Sequence, residues 1–241
     1  MRRCSLLLAL VALGCQGKQE TKPADPTPEA SAQANTPTQK KKSAKPVPEY
    51  PAPEAWSLKP LAVGQWIRLA VKSVGMPPSQ IFVRIVGQDG DAFWYEIESN
   101  TPNGTAIVQF LLEGAGQARF DKSKIRKIRT KPSGGAVQEY TGPMMTMASD
   151  VVEEYAAILG QPDATKAERA DTTVSAGVFK GCYVHEVGST YRGQTAKEKT
   201  HRHPAVPISG FVRSEGTLDD RPVQRELLEM HETGAKSAMR L

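Results

Sequence analysis

The chain has 241 residues, of which 39% are hydrophobic and 24% are charged, and its formal net charge is +5. A modest positive balance of this kind is compatible with contacts to acidic surfaces, but it does not indicate a nucleic-acid-binding protein. Because residues 1–14 indicate export of the chain, nucleic acid is a poor partner as well.

Residues 1–14 have the order of parts found in a secretory signal peptide. Arg2 and Arg3 give the positive start, and an apolar run extends from Leu6 to Leu13. This run is much shorter than the about 20 apolar residues that a membrane-spanning helix requires. We therefore interpret residues 1–14 as a leader that is removed.

The cleavage site ends on cysteine, in Val11-Ala12-Leu13-Gly14-Cys15. It resembles the lipobox of bacterial lipoproteins, although Ala12 stands where leucine is usual. The resemblance implies that Cys15 carries diacylglycerol, begins the mature chain and holds it on a membrane through acyl chains. Gln16 in place of aspartate implies, by the pattern of enteric-type bacteria, the outer membrane facing the periplasm. An ordinary signal peptide with a chance cysteine is the alternative.

Residues 15–55 are predicted to contain the lipidated cysteine and a disordered linker. They lack apolar periodicity, and eight prolines fall between Pro23 and Pro53. Proline removes backbone donors, and such a composition cannot bury a core, so a partly polyproline-II tether is expected. A lysine group within 40–45 is either a solvated charge run or a contact for anionic lipid.

Residues 56–241 are predicted to fold as a single β-rich domain. Near its start, apolar and polar residues alternate in four segments, which is the pattern of half-buried strands. These segments are Ile67–Val71, Ile81–Ile85, Phe93–Ile97 and Ala106–Leu112. Short turns, including the hairpin signal Asp89-Gly90, separate them, so we predict an antiparallel meander.

A basic segment follows the meander between residues 121 and 131. Its candidate anion-binding residues are Lys122, Lys124, Arg126, Lys127 and Arg129. The segment is either a strand with a solvated charged edge, where lysine discourages pairing with other sheets, or a surface for an acidic ligand or phospholipid headgroup.

One principal helix is predicted over residues 143–160, with Pro143 in its first turn and Gly160 as its stop. Six residues share its apolar face at helical spacing: Met144, Met147, Ala148, Val151, Tyr155 and Leu159. Core packing is the expected role of this face, and copper binding by the methionines is the alternative.

A polar connector over Gln161–Asp171 leads to further strand patterns. Their ranges are Val174–Val187 with bends at Gly177 and Gly181, an exposed polar strand over Thr190–Lys199, Pro204–Arg213 and Val223–His231. The predicted fold class is therefore mainly β (α+β): a curved antiparallel sheet or incomplete barrel packed on one principal helix and preceded by a disordered linker.

Three segments, Val174–Cys182, Val206–Val212 and Gly234–Ser237, resemble parts of the LolA and LolB families of lipoprotein carrier and sorting proteins and of related exported domains of uncharacterised function. In those families a strongly curved antiparallel sheet forms an incomplete barrel, with helical segments on its concave side. The resemblance implies the same architecture here, with a hollow that could hold an apolar ligand.

Chemistry-bearing residues are sparse. His201 and His203 could present both imidazoles to zinc on one strand face, with His185 as a third ligand, although a polar loop before Pro204 is the ordinary interpretation. With Cys4 in the leader and Cys15 acylated, Cys182 is left alone and is expected to be a small buried residue. No Gly-x-Ser-x-Gly elbow or phosphate-binding glycine loop is present in the sequence, so neither an enzyme nor a cofactor or metal is predicted.

The leading hypothesis is a membrane-anchored, periplasm-facing, non-enzymatic binding module that holds an apolar or lipid ligand. The alternative is a structural or assembly lipoprotein that binds a protein or envelope polymer through its basic surface. Both follow from the anchor, the tether and the strand-rich pattern.

Overall fold

The structure, a computed structural model, describes residues 46–114, 121–153, 155–191 and 194–239. The predicted leader, Cys15 and most of the predicted linker lie outside these residues. The described strands are β1 Glu49–Tyr50, β2 Trp66–Ser73, β3 Ser79–Asp89, β4 Ala92–Thr101, β5 Gly104–Glu113, β6 Ile125–Lys131, β7 Gln138–Tyr140, β8 Glu168–Val174, β9 Gly177–Tyr191, β10 Gln194–Arg202, β11 Phe211–Leu218 and β12 Arg221–His231.

These strands form one large, open, curved sheet, and the mainly-β prediction is confirmed. The order across it is β1, β9, β10, β11, β12, β2, β3, β4, β5, β6 and β7, and β8 pairs with β9 in addition. Strands β2 to β5 follow one another as the predicted antiparallel meander. The pairing of β1 with β9 is parallel.

The core combines the inward residues of the meander with residues from the later strands. Ile67, Leu69 and Ile97 are fully buried, as the alternation predicts. Strand β5 differs, because Ile107 and Leu111 on its opposite face are buried too. The sequence Ile107-Val108-Gln109-Phe110-Leu111-Leu112 is accordingly a nearly continuous apolar run, which is typical of a strand covered on both faces.

The predicted helix is divided into α1 Met145–Glu153 and α2 Ala156–Leu159, preceded by a 3-10 turn at Gly142–Met144. Met144 was expected on the buried face, but it is 52% exposed. That expectation is wrong because a 3-10 turn has about three residues per turn and rotates its side chains away from the α-helical stripe.

The buried positions of this helical segment include Ala148, Val152 and Ile158, which belong to the hydrophobic core cluster. The side chain of Met147, which was predicted on the same face, lies outside the described part of the chain. None of the helices that the structure describes combines the length and apolar character that a membrane crossing requires.

Residues 46–55, which the sequence assigns to the linker, contact the domain. Glu49 and Tyr50 pair with β9, and the ring of Tyr50 stacks on Phe179 with 4.5 Å between centroids. The carbonyl of Pro51 lies 3.0 Å from Nε2 of His203. The end of the predicted linker is thus joined to the sheet before residue 56.

Strand β8 begins at Glu168, inside the segment predicted to be a polar connector. Only Thr172 and Val174 of β8 are buried, so its sequence lacks the regular alternation of apolar and polar residues that predicts a strand. Gly181 on β9, a predicted bend, has φ of 60°, a conformation that favours glycine. The turn between β8 and β9 contacts β12, where the N–H and the hydroxyl of Ser175 both donate hydrogen bonds to the Glu226 carboxylate.

Candidate functional site

The predicted basic segment forms a 3-10 turn over Lys122–Lys124 and then strand β6, so its strand character is confirmed. Arg126 forms ion pairs with Glu113 and Asp91. Lys127 and Arg129 share one carboxylate, that of Glu139, at 3.3 and 2.7 Å.

The Arg129 guanidinium also lies 4.4 Å from the ring centroid of Trp94. A hydrogen bond from Arg129 is the main cause of a lowered pKa for Glu139. The charges of Arg126, Lys127 and Arg129 are therefore matched by carboxylates, which reduces their attraction for an external anion.

The three histidines that were considered as an alternative zinc site take separate partners. Nδ1 of His201 lies 2.8 Å from the Thr172 hydroxyl, and Nδ1 of His185 lies 3.1 Å from the Thr200 hydroxyl. Burial lowers the pKa of His201 and His203, and lowers that of His185 to about 4. Among the residues that the structure describes, no group of three or more histidine, cysteine or acidic side chains could hold a metal.

Cys182 is a free, fully buried cysteine, as predicted. Its Sγ lies 3.6 Å from the carbonyl oxygen of Phe179. Burial raises the pKa of the thiol to about 11, which disfavours the reactive thiolate. Cys182 is thus a packing residue in this fold.

Glu96 on β4 is a fully buried carboxylate that the sequence did not reveal. Burial raises the pKa of Glu96, but hydrogen bonds outweigh this effect and lower it below its usual value. Five donors surround the carboxylate: the Arg84 guanidinium, the Gln109 amide, the Ser237 hydroxyl, and the N–H groups of Ala238 and Met239. This cluster fixes the C-terminal segment on the sheet.

A row of polar side chains crosses the sheet from β9 to β12. His185, Thr200, Ser214 and Arg225 are direct cross-strand neighbours in that order. Beside them, Glu198 accepts a 2.6 Å hydrogen bond from the Ser214 hydroxyl and forms an ion pair with Arg225. The segment Thr190–Lys199 was expected to be exposed, but Glu198 within it is buried, as is Thr200 just beyond it, because these partners satisfy their polar groups.

Arg202 is fully buried at the end of β10. It donates to the carbonyls of Ala157 and Ile158 at 2.5 and 3.1 Å, and to that of Ser209 at 2.8 Å. Burial lowers its pKa to about 9. Arg202 thus satisfies carbonyls at the end of α2 that have no partner within the helix.

A cavity of about 410 Å³ lies beside β9. It is lined by Asp163, Lys166, Ala167, Glu168, Val184, His185, Glu186 and Lys199. We call this cavity, together with the adjoining edge of β9 from Glu186 to Tyr191, the β9 cleft.

The edge arises because β8 and β10 pair with different parts of β9. The register of β8 begins with Glu168 opposite Val184, whereas the pairing of β10 with β9 continues to Tyr191. Within the described residues, no strand pairs with β9 on the β8 side beyond Val184. The sequence predicted a strand at β9. It did not predict the open edge, which depends on the position where β8 begins, inside the predicted connector.

A second cavity, of about 370 Å³, adjoins the start of the domain and the end of β12. Its lining combines apolar residues with an ion pair in which Lys59 lies 2.7 Å from Glu232. The apolar and aromatic members are Tyr50, Ala205, Pro207 and Met230.

Comparisons with protein-family models, curated proteins and solved structures found no match to this chain. The resemblance to LolA and LolB therefore stays a prediction, and a fold of this kind does not by itself determine a function.

Proposed function

We propose that this protein is a lipid-anchored, non-enzymatic binding module that faces the periplasm from the outer membrane and binds its partner in the β9 cleft. The leader and the lipobox-like sequence ending at Cys15 support the anchor. In this proposal the curved sheet is an incomplete barrel that packs on the helical segment. The burial of Val152 and Ile158 supports this packing.

The observation that carries the proposal is the chemistry of the cleft. Its volume of about 410 Å³ falls within the range of ligand sites, about 300 to 1,000 Å³. Its lining includes acidic side chains, lysines and a histidine, with Ala167 and Val184 as its apolar members. Such a lining suits a polar or charged partner, since a lipid tail would leave these groups without water or hydrogen bonds.

Strand β1 leaves the cleft accessible. Val178 on β9 pairs with Glu49 of β1 and with Thr173 of β8, so β1 and β8 lie on opposite edges of β9. Strand β1 therefore occupies one edge of β9, and the cleft opens on the other.

An apolar ligand is the second candidate, and the cavity near Tyr50 and Met230 favours it. A Met230→Trp variant would fill part of this cavity. If an apolar ligand binds there, gently purified wild-type protein should contain a fatty acid that mass spectrometry detects, and the variant should contain less of it. An unchanged ligand content in the variant would contradict this candidate.

The experiment that tests the leading proposal places a photo-crosslinking amino acid in living cells at position 166, in the lining of the cavity, and at position 72 as the matched control. Both replace exposed lysines. We expect a crosslinked product at position 166 only, in the membrane fraction, and release of the protein into the soluble fraction in Cys15→Ala. Equal crosslinking at both positions, or none, would contradict the cleft as the binding site.

A further inference from the structure

We infer that the partner of the β9 cleft is an extended polypeptide segment with basic side chains, which adds to the sheet as a new strand along the open edge of β9. This inference rests on the proposed function and names its ligand class. Strand addition uses main-chain hydrogen bonds for affinity and side-chain pockets for specificity.

One edge of β9 is open over six residues. From Glu186 to Tyr191, β9 pairs with β10 on one side, and no described strand pairs with it on the other. Six residues span about 20 Å at about 3.3 Å per residue, which is an ordinary strand length. An edge of this length presents unpaired N–H and C=O groups, which are a template for another chain.

The shape of the site leaves room for an added strand. Such a strand would lie in line with β8, whose first residue, Glu168, lies opposite Val184. The cavity lies at this step in the sheet, between the β9 edge and the turn closed by hydrogen bonds from the Lys166 and Ala167 N–H groups to the Asp163 carbonyl. The cavity thus provides space for side chains of the added strand next to its backbone.

The lining also has an excess of negative charge. Lys166 pairs with Asp163 at 3.5 Å, and Lys199 lies 3.8 Å from Glu168. Glu186 is exposed on the edge beside Lys199, its cross-strand neighbour on β10, and forms no ion pair of its own among the described residues. The lining therefore holds three carboxylates and two lysines, and this excess of one negative charge complements a lysine or arginine of an incoming strand.

The test uses a synthetic octapeptide, blocked at both ends, in which lysine alternates with valine. The protein is the full chain purified from the envelope fraction in a nonionic detergent. Binding is measured by fluorescence anisotropy, and the backbone site is measured by amide hydrogen exchange. Three comparison peptides are used. One has glutamate in place of every lysine. The other two keep the lysines and carry backbone N-methyl groups on alternate residues, on the odd-numbered residues in one peptide and on the even-numbered residues in the other.

We expect the lysine peptide to protect alternate amides between Glu186 and Tyr191. One of the two N-methylated peptides should bind about tenfold more weakly while the other binds normally, since only alternate N–H groups face the sheet. The glutamate peptide should also bind about tenfold more weakly. Glu186→Lys should weaken binding of the lysine peptide by a similar factor, and Glu54→Lys should leave it unchanged.

Absence of binding by the lysine peptide, or equal binding by both N-methylated peptides, would overturn strand addition. If position 166 still crosslinks in cells under that result, the cleft remains the binding site and only the ligand class is wrong. If position 166 does not crosslink either, both the proposed function and this inference fail.

Discussion

The hydroxyl of Ser237 donates a 2.7 Å hydrogen bond to the carboxylate of Glu96, although the two residues are 141 positions apart. The N–H groups of Ala238 and Met239 donate to the same carboxylate. A short segment at the end of the described chain is thereby fixed to the centre of the meander, so it contributes to the stability of the whole fold.

We therefore predict that Glu96→Ala lowers the free energy of unfolding by about 3 kcal/mol, because it leaves several buried donors unpaired. Ser237→Ala should cost about 1 kcal/mol, since it removes one hydrogen-bonding side chain. Urea unfolding measures both, and Glu54→Ala serves as an exposed control. Equal stability of Glu96→Ala and this control would contradict the role of Glu96.

Arg202 provides a second test, because its guanidinium is the donor for carbonyls of α2 and of Ser209. Arg202→Leu should destabilise the fold by about 3 kcal/mol, as buried carbonyls lose their partners. Arg213→Leu, on the neighbouring strand and partly exposed, should cost much less. Chemical denaturation compares them, and a smaller loss for Arg202→Leu than for Arg213→Leu would refute this role.

Acid should destabilise the protein through its buried histidines. Burial lowers the pKa of His185 from an ordinary 6.5 to about 4, and it lowers those of His201 and His203 in the same direction. The unfolded chain therefore binds more protons as the pH falls below about 6.5, and stability is lost progressively toward about pH 4.

Urea unfolding at several pH values between about 4 and 7.5 measures this loss. His185→Gln should reduce the slope of stability against pH, and His231→Gln at the exposed end of β12 serves as the control. Constant or rising stability on acidification would show that the histidines are not buried as described.

Cys182 should resist thiol reagents in the folded protein, because it is buried and its thiol pKa is raised to about 11. The test uses a chain with Cys4→Ser and Cys15→Ser, so that Cys182 is the remaining thiol. We expect labelling by a disulfide reagent in urea and very slow labelling without it. Rapid labelling of the folded chain would contradict the burial of Cys182.

The meander was predictable because its strands alternate and its turns are short. Alternation from Ile67 to Val71 and the turn at Asp89-Gly90 are local signals, so they identify β2 to β5 without knowledge of the rest. The burial of Glu96 was not predictable in this way. It depends on Ser237 and Gln109, and a side chain facing away from the core is ordinarily assigned to solvent.

The later strands show the same limit. Glu198 lies in the polar segment Thr190–Lys199, which was expected to be exposed, yet its partners on β11 and β12 bury it. Thr200, just beyond that segment, is buried against His185 of β9. The β9 cleft likewise follows from the register of Glu168 with Val184, and no local pattern contains that register. Polar residues that satisfy one another across strands carry no hydrophobic signal, which is why the candidate site was missed.

The most direct test of the β9 cleft as a binding site is amide hydrogen exchange of Glu186–Tyr191, measured in native envelope membranes and in the purified protein. Occupation of the open edge by a partner should slow exchange at these amides in membranes by about tenfold or more, while amides in the loop around Gly75 exchange equally in both. Equal exchange of Glu186–Tyr191 in the two samples would contradict binding in the cleft.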